Sequence, residues 1–362
     1  MQSKISLFIG VFLFSVFVSG CSNKSVDLSS FSKDGKNIEC FDRKTQSFTS
    51  VVDSHLHYRP FGGKAIPFDE VNDYLRKTGV LFVNVYGIGQ SLDIHSHCTY
   101  YKNCPGVPAK PSIKNDFINA KNFLESKPED IHMTLSMTFP DLAHPENIVE
   151  MIELYDREYP KVFTWMGEVN LIKQALIPNQ HEPASLEDIE NWKEFMAILE
   201  KRNIPLNIHS DLGNDEEPLK FLYLMEHVLK LYPNNKIVWA HMGLSIELQK
   251  MDPKKHIAMM KSFLDKNQNL MLDYSWDVLD KYYLTPHREL YAEFFNAYPD
   301  RLLAGTDFVA AEGKGFEDYK RELKQTSAIN KDLNDEAFRN IALGENYFKL
   351  LNLDFKAPQI CK

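Results

Sequence analysis

The sequence predicts a single-domain α/β protein, a (β/α)8 TIM barrel over residues 49–362, on three observations. Short apolar runs rich in Val, Ile, Phe and Leu alternate with longer amphipathic stretches, the pattern of βα units. Eight such runs occur, the number a closed parallel barrel needs. From Glu168 onward the runs end at 168, 209, 241, 273 and 307, a spacing of 32 to 41 residues that suits one strand, one helix and two loops.

Ahead of the barrel, Lys4 precedes an uncharged apolar run from Ile5 to Val18, followed by Val18-Ser19-Gly20-Cys21. The run is too short to span a bilayer comfortably and reads as the core of a secretory signal peptide over residues 1–20. Its end resembles a bacterial lipobox, which implies lipidation of Cys21 and membrane attachment there. Ser22 after the cysteine implies outer-membrane sorting. Residues 21–48, rich in Ser, Lys and Asp, read as a tether. Four further cysteines remain, Cys40, Cys98, Cys104 and Cys361. In an exported chain an even number favours disulfides, of which three pairings are open. Cys98 with Cys104 would close a short loop, and Cys40 with Cys361 would tie the ends of the domain together.

The eight runs are Phe48 to Val52 leading to His55, Val80 to Tyr86, Ile131 to Thr138, Val162 to Glu168, Ile204 to His209, Lys236 to His241, Leu270 to Asp273 and Arg301 to Asp307. Between the fourth and fifth, Ser185 can cap a helix over Leu186 to Arg202, with Asp188 three residues on in the manner of a capping box. Glu216 to Tyr232, stopped by Pro233, and Asp335 to Leu351 carry similar apolar stripes that pack on a barrel. Gly87 to Pro111 has no clear period and reads as a loop over the barrel mouth.

Composition narrows the function classes. With 44% apolar and 25% charged residues the chain is an ordinary globule, neither disordered nor a polytopic membrane protein. Fifty acidic against 41 basic residues give a formal charge of −9, which argues against nucleic acid as a partner. There is no Gly-x-Gly-x-x-Gly or Walker loop for a nucleotide, and no Gly-x-Ser-x-Gly elbow for a serine hydrolase.

The chemistry lies at the run ends. In a strand, Asp53, His55 and His57 share one face, and two imidazoles so placed can hold a divalent cation. By itself a His-x-His pair is weak, and His95-Ser96-His97 in the mouth loop is a second instance. Glu168, His209, His241 and Asp307 close four later runs, and all strand C-termini of a parallel barrel open on one face. Burying so many ionisable groups without a neutralising cation is costly. Tyr58 and Arg59, directly after the pair, are candidates for substrate binding, Arg59 by offering its planar fork to a carboxylate or phosphate.

His-x-His on strand one, an acid on strand four, His on five and six and Asp on eight together resemble the amidohydrolase superfamily. Ala240-His241-Met242-Gly243, Ala304-Gly305-Thr306-Asp307 and Ile341-Ala342-Leu343-Gly344-Glu345-Asn346 resemble its amidohydrolase-2 branch. Two departures stand out: Glu168 replaces the lysine of carbamate-bridged members, and Gly344-Glu345-Asn346 replaces the usual Gly-Asn-Ala. The resemblance implies a divalent metal cofactor, commonly zinc, as one or two ions. His55 and His57 would ligate one ion with Asp307 close by, and Glu168 would bridge to a second held by His209 and His241. Asp307 would shuttle the proton of an activated water, and His241, if free, would polarise the substrate oxygen. Asp53 would orient an imidazole or bond to backbone. The implied activity is hydrolysis of a small-molecule ester, lactone, amide or phosphoester. A decarboxylase of the same branch and a non-catalytic ligand-binding lipoprotein are the alternatives.

Overall fold

Eight strands in chain order form one parallel sheet: β1 Val52–His57, β2 Phe82–Tyr86, β3 His132–Met137, β4 Phe163–Ile172, β5 Leu206–Ser210, β6 Ile237–Trp239, β7 Leu270–Asp273 and β8 Leu302–Leu303. The computed structural model describes residues 26–33 and 40–362; the expected leader and Cys21 lie outside them. Each strand pairs in parallel with the next in sequence. The eighth strand is interrupted after Leu303 and resumes as β9 Phe308–Val309, which pairs with β1 at Leu56 and His57. Ser54 N–H donates to Ala304 O (2.9 Å) and Asp307 N–H to His55 O (2.8 Å), so the sheet closes on itself into the expected barrel.

Strands that are buried on both faces need apolar or internally satisfied residues throughout, and all six residues of β1 are buried. Helices cover the outside: α1 Phe68–Thr78, α2 Lys114–Ser126, α3 Ile148–Glu158, α4 Lys193–Arg202, α5 Leu222–Leu231, α6 Pro253–Lys266, α7 Arg288–Ala297 and α8 Phe316–Thr326, followed by α9 Asp335–Ile341 and α10 Glu345–Leu351. In α1, Val71, Tyr74 and Leu75 fall on one buried face, as helical spacing requires.

Two expected helices are split. The capping box at Ser185 is present, with Asp188 N–H donating to Ser185 Oγ (3.1 Å) and Ser185 N–H to Asp188 Oδ2 (2.7 Å). The short helix it starts, Leu186–Glu190, breaks before Trp192, whose buried indole N–H donates to Leu142 O (3.1 Å). The C-terminal stripe breaks at Gly344, with φ 85°, where an added Cβ would lie 2.6 Å from Val52 Cγ2.

Within the stretch expected as a tether, the described residues 26–33 and 40–48 are docked on the barrel through two aromatic side chains. Phe31 is fully buried and packs edge-on against Phe82 and Phe348, and Phe41 is buried beside Phe338. Ser32 bridges to Phe355 and Phe41 to Ile360. Two aromatic anchors in a polar stretch are enough to seat it under the start of β2, since burying each contributes roughly 1.5–3 kcal/mol. Cys40 and Cys361 form a disulfide, as do Cys98 and Cys104, which selects one of the three open pairings. Among the described residues no helix is long and apolar enough to cross a membrane.

Candidate metal centre

β1 delivers two imidazoles whose outer nitrogens are already committed. His57 Nδ1 donates to Gly87 O (2.7 Å) just past β2, and His55 Nδ1 donates to Asp273 Oδ2 (2.5 Å) at the end of β7. These bonds fix the tautomers and aim both Nε2 atoms inward, 3.2 Å apart. Asp307 Oδ1 lies 3.2 Å from His57 Nε2 and 3.5 Å from His55 Nε2. Glu168 Oε2 lies 3.3 and 3.6 Å from the same two atoms.

The other oxygen of Glu168 faces a second group. Oε1 is 2.5 Å from His209 Nδ1 and 3.5 Å from His241 Nε2. His209 Nε2 is held by Asp211 Oδ1 (2.9 Å), and His241 Nδ1 lies near Ser275 Oγ (3.1 Å). The other five expected groups thus gather around the Glu168 carboxylate, and all four histidines are at most 2% exposed.

Local backbone geometry makes these placements possible. His241 and Met242 adopt left-handed φ of 53° and 52°, and Asp307 of 57°, and this backbone presents the His241 and Asp307 side chains to the cluster at the strand ends. Gly305 lies so close to β1 that a Cβ there would sit 2.8 Å from His55 Cβ.

The electrostatics call for positive charge. Burial opposes the charged form of every group, yet Asp273 and Glu168 raise His55 well above its ordinary value, and Asp307 and Glu168 raise His57. Against its own burial, Glu168 is held well below the carboxylate range by Lys173, His209 and His241, and Asp307 is lowered by His57, His241 and His55. Three buried or nearly buried carboxylates, on Glu168, Asp307 and Asp211, act on the one ammonium of Lys173, while Asp273 is paired with His55. A divalent cation fits here in place of the protons these imidazoles otherwise take up, since metal binding competes with protonation. His241 Nε2 supports that fit, being buried without a hydrogen-bond partner. Imidazole and carboxylate donors together suit zinc and similar divalent ions.

The cluster opens on a cavity of about 340 Å³, with His57 and Asp307 at its base and Lys173, Phe61, Tyr101 and Trp276 on its walls. The loop from Gly87 to Pro111 covers this mouth as expected, cross-linked by Cys98 and Cys104. His97 lies beside those cysteines, but their disulfide leaves no thiolate to ligate with it. A separate cavity of about 400 Å³ around Asp141 and His144 contains none of the six clustered groups.

Both expected substrate contacts fall elsewhere. Tyr58 follows His57 and so points outward, buried under α1 with its hydroxyl donating to Asn72 Oδ1 (3.0 Å). Arg59 lies past a bend, near Asn115 Oδ1 (3.4 Å), in a cavity of about 320 Å³ between the starts of α1 and β1's trailing loop, away from Asp307. Asp53 orients no imidazole ring. It accepts from Thr306 N–H (2.9 Å), Thr306 Oγ1 (2.7 Å) and Tyr319 OH (3.1 Å), and burial pushes it up to about 6. Asp273, which closes the seventh run, and Lys173, which follows β4, join the site without having been singled out. Strand-end position marks Asp273; nothing in the sequence marks Lys173.

The amidohydrolase family model matches residues 167–346, which carry Glu168, His209, His241 and Asp307. Among solved structures the chain is similar to a zinc-bound amidohydrolase from Burkholderia multivorans, with TM-score 0.54 and 11% identity over 84% of this chain and 99% of that one. It is also similar to dihydroorotase from Saccharomyces cerevisiae in complex with 5-fluoroorotic acid, with TM-score 0.51 and 11% identity over 87% and 86% of the two chains. At such identities the likeness establishes the barrel. No curated protein matches. The matched segment is thus similar to amidohydrolases, a family of metal-dependent enzymes.

Proposed function

We propose that the chain is an exported, lipid-anchored metal-dependent hydrolase of a small ester, lactone, amide or phosphoester. The observation that carries this reading is Glu168, with one oxygen facing His55, His57 and the other facing His209 and His241. His55, His57 and Asp307 would hold one cation, and His209 and His241 a second, with Glu168 between them. Two ligand groups and the excess of carboxylates favour two equivalents per chain, with zinc suggested by the donor set.

A bound divalent cation supplies Lewis acidity and lowers the pKa of water toward neutrality. Asp307, at the cavity base and held ionised, accepts the proton of the attacking water. The water's OH adds to the carbonyl or phosphoryl centre, the bond to the leaving group breaks, and Asp307 returns the proton to that group. His241, whose Nε2 faces both Glu168 and Asp307 (4.0 Å from Oδ2), is placed to ligate or to polarise the substrate oxygen. A decarboxylase would have no need of the acid shared between two groups.

Elemental analysis of protein purified without chelator, combined with turnover on an ester, lactone, amide and phosphoester panel, tests the reading. Two equivalents of metal are expected, and Asp307→Asn should lower turnover roughly a hundredfold or more with metal content retained. No metal and no turnover would defeat it, and carbon dioxide release without hydrolysis would favour the lyase.

Attachment through Cys21 is supported by the apolar run before it and by the two disulfides, which suit an oxidising compartment. Cys21→Ser should release the protein from the membrane fraction; unchanged partition would remove the anchor.

A further inference from the structure

We propose that Lys173 is a specificity-determining residue that receives a carboxylate of the substrate, so that the enzyme acts on small monoanionic carboxylates bearing the scissile bond. This rests on the hydrolase reading and narrows its substrate class.

Lys173 is the first residue past β4 and is 7% exposed. An ammonium carries three donors. Its described contacts are Glu168 Oε1 at 3.3 Å and the face of Phe61, 5.8 Å from the ring centroid. The acids whose charge it feels are Glu168, Asp307 and Asp211, and each has another claim on it. Asp211 Oδ1 is bonded to His209, and Oδ2 accepts from Gln174 N–H (2.7 Å) and Gln174 Nε2 (3.3 Å). Both oxygens of Glu168 face imidazoles, and Asp307 faces His57.

The other cation of the mouth, Lys314, has Glu322 Oε1 as its counter-ion at 3.3 Å. Lys173 therefore shares Glu168, the acid it is paired with, with the imidazoles of the cluster. With Glu168 drawn to bound cations, an anion arriving from the cavity would take its place beside the buried ammonium. Aromatic walls from Phe61, Tyr101 and Trp276 exclude water and strengthen the attraction. One ammonium neutralises one charge, which favours a carboxylate over a dianionic phosphate. The same walls suit an apolar or aromatic body beside it.

Calorimetry on the metal-replete full chain with hippurate and its neutral analogue hippuramide tests this without turnover. Hippurate should bind at least tenfold more tightly, in line with a charge-assisted hydrogen bond. Lys173→Met should bring the two affinities together, Lys173→Arg should keep part of the preference, and Lys314→Met should leave it intact. Metal content is measured on each variant. Equal or undetectable affinities in the wild type overturn the proposal. So does a preference that survives in Lys173→Met at unchanged metal content, because the carboxylate would then sit on the metal itself. If Lys173→Met loses metal, Lys173→Arg with metal retained decides: abolished preference there overturns the role of charge, and retained preference supports it. Failure of the hydrolase reading would show separately, as absent metal or absent turnover.

Discussion

At the level of single residues the centre depends on bonds made by atoms that face away from it. His55 is aimed by Asp273, and Asp273 is itself fixed by Ser275 N–H (2.6 Å). Asp273→Asn would leave the side-chain shape while removing the charge that raises the basicity of His55. Metal affinity, measured by competition with a chromophoric chelator, should fall about 10- to 100-fold. An unchanged affinity would mean that His55 is not a ligand. The six cluster residues could be read in the sequence because a strand alternates faces and a parallel barrel gathers its strand ends. The same alternation places Tyr58 on the outer face, so its proximity to the His pair in sequence misleads. Lys173 was illegible because it acts from the loop past the strand end, where no period constrains direction.

At the level of elements, α6 supports the left-handed turn that presents His241. His256 on that helix donates from Nε2 to Met242 O (2.9 Å) and accepts at Nδ1 from Tyr291 OH on α7 (3.0 Å). Acceptance at Nδ1 requires a neutral ring, and burial pushes its pKa down to about 4 from 6.5. The folded value lies below the unfolded one, so this stability is complete above pH 6.5 and is lost as pH falls through 4. The loss amounts to about 3 kcal/mol. In urea unfolding of metal-free protein, the stability advantage of wild type over His256→Gln should shrink by about that amount between pH 7 and 4. A constant advantage would show that His256 does not titrate as a buried neutral ring. The sequence showed amphipathic stripes but not the breaks within them, because Trp192 and Gly344 end helices through contacts with distant elements.

The whole molecule is closed at its two ends by different means, and its two cross-links should therefore fail differently. Near the metal mouth, Cys98 and Cys104 span a separation of 6 residues within one loop. At the other end of the barrel, Cys40 and Cys361 span 321 residues and fasten the segment that seats Phe31 and Phe41 to the C-terminal stretch. A cross-link restricts the unfolded chain more when it closes a longer loop, though the entropic account is model-dependent. Serine replacement of Cys40 and Cys361 should cost about 2–5 kcal/mol in denaturant unfolding, with KM and kcat nearly unchanged below the transition. Serine replacement of Cys98 and Cys104 should cost less stability but raise KM, because that loop carries Tyr100 and Tyr101 over the cavity. The barrel and its closed mouth were foreseeable from the spacing of runs and cysteines. The docked N-terminal segment was not, because its polar composition conceals two aromatic side chains whose partners, Phe82, Phe338 and Phe348, lie far along the chain. If the long-range pair proved neutral to stability while the short one governed it, the segment would be only loosely held and the barrel floor would be self-sufficient.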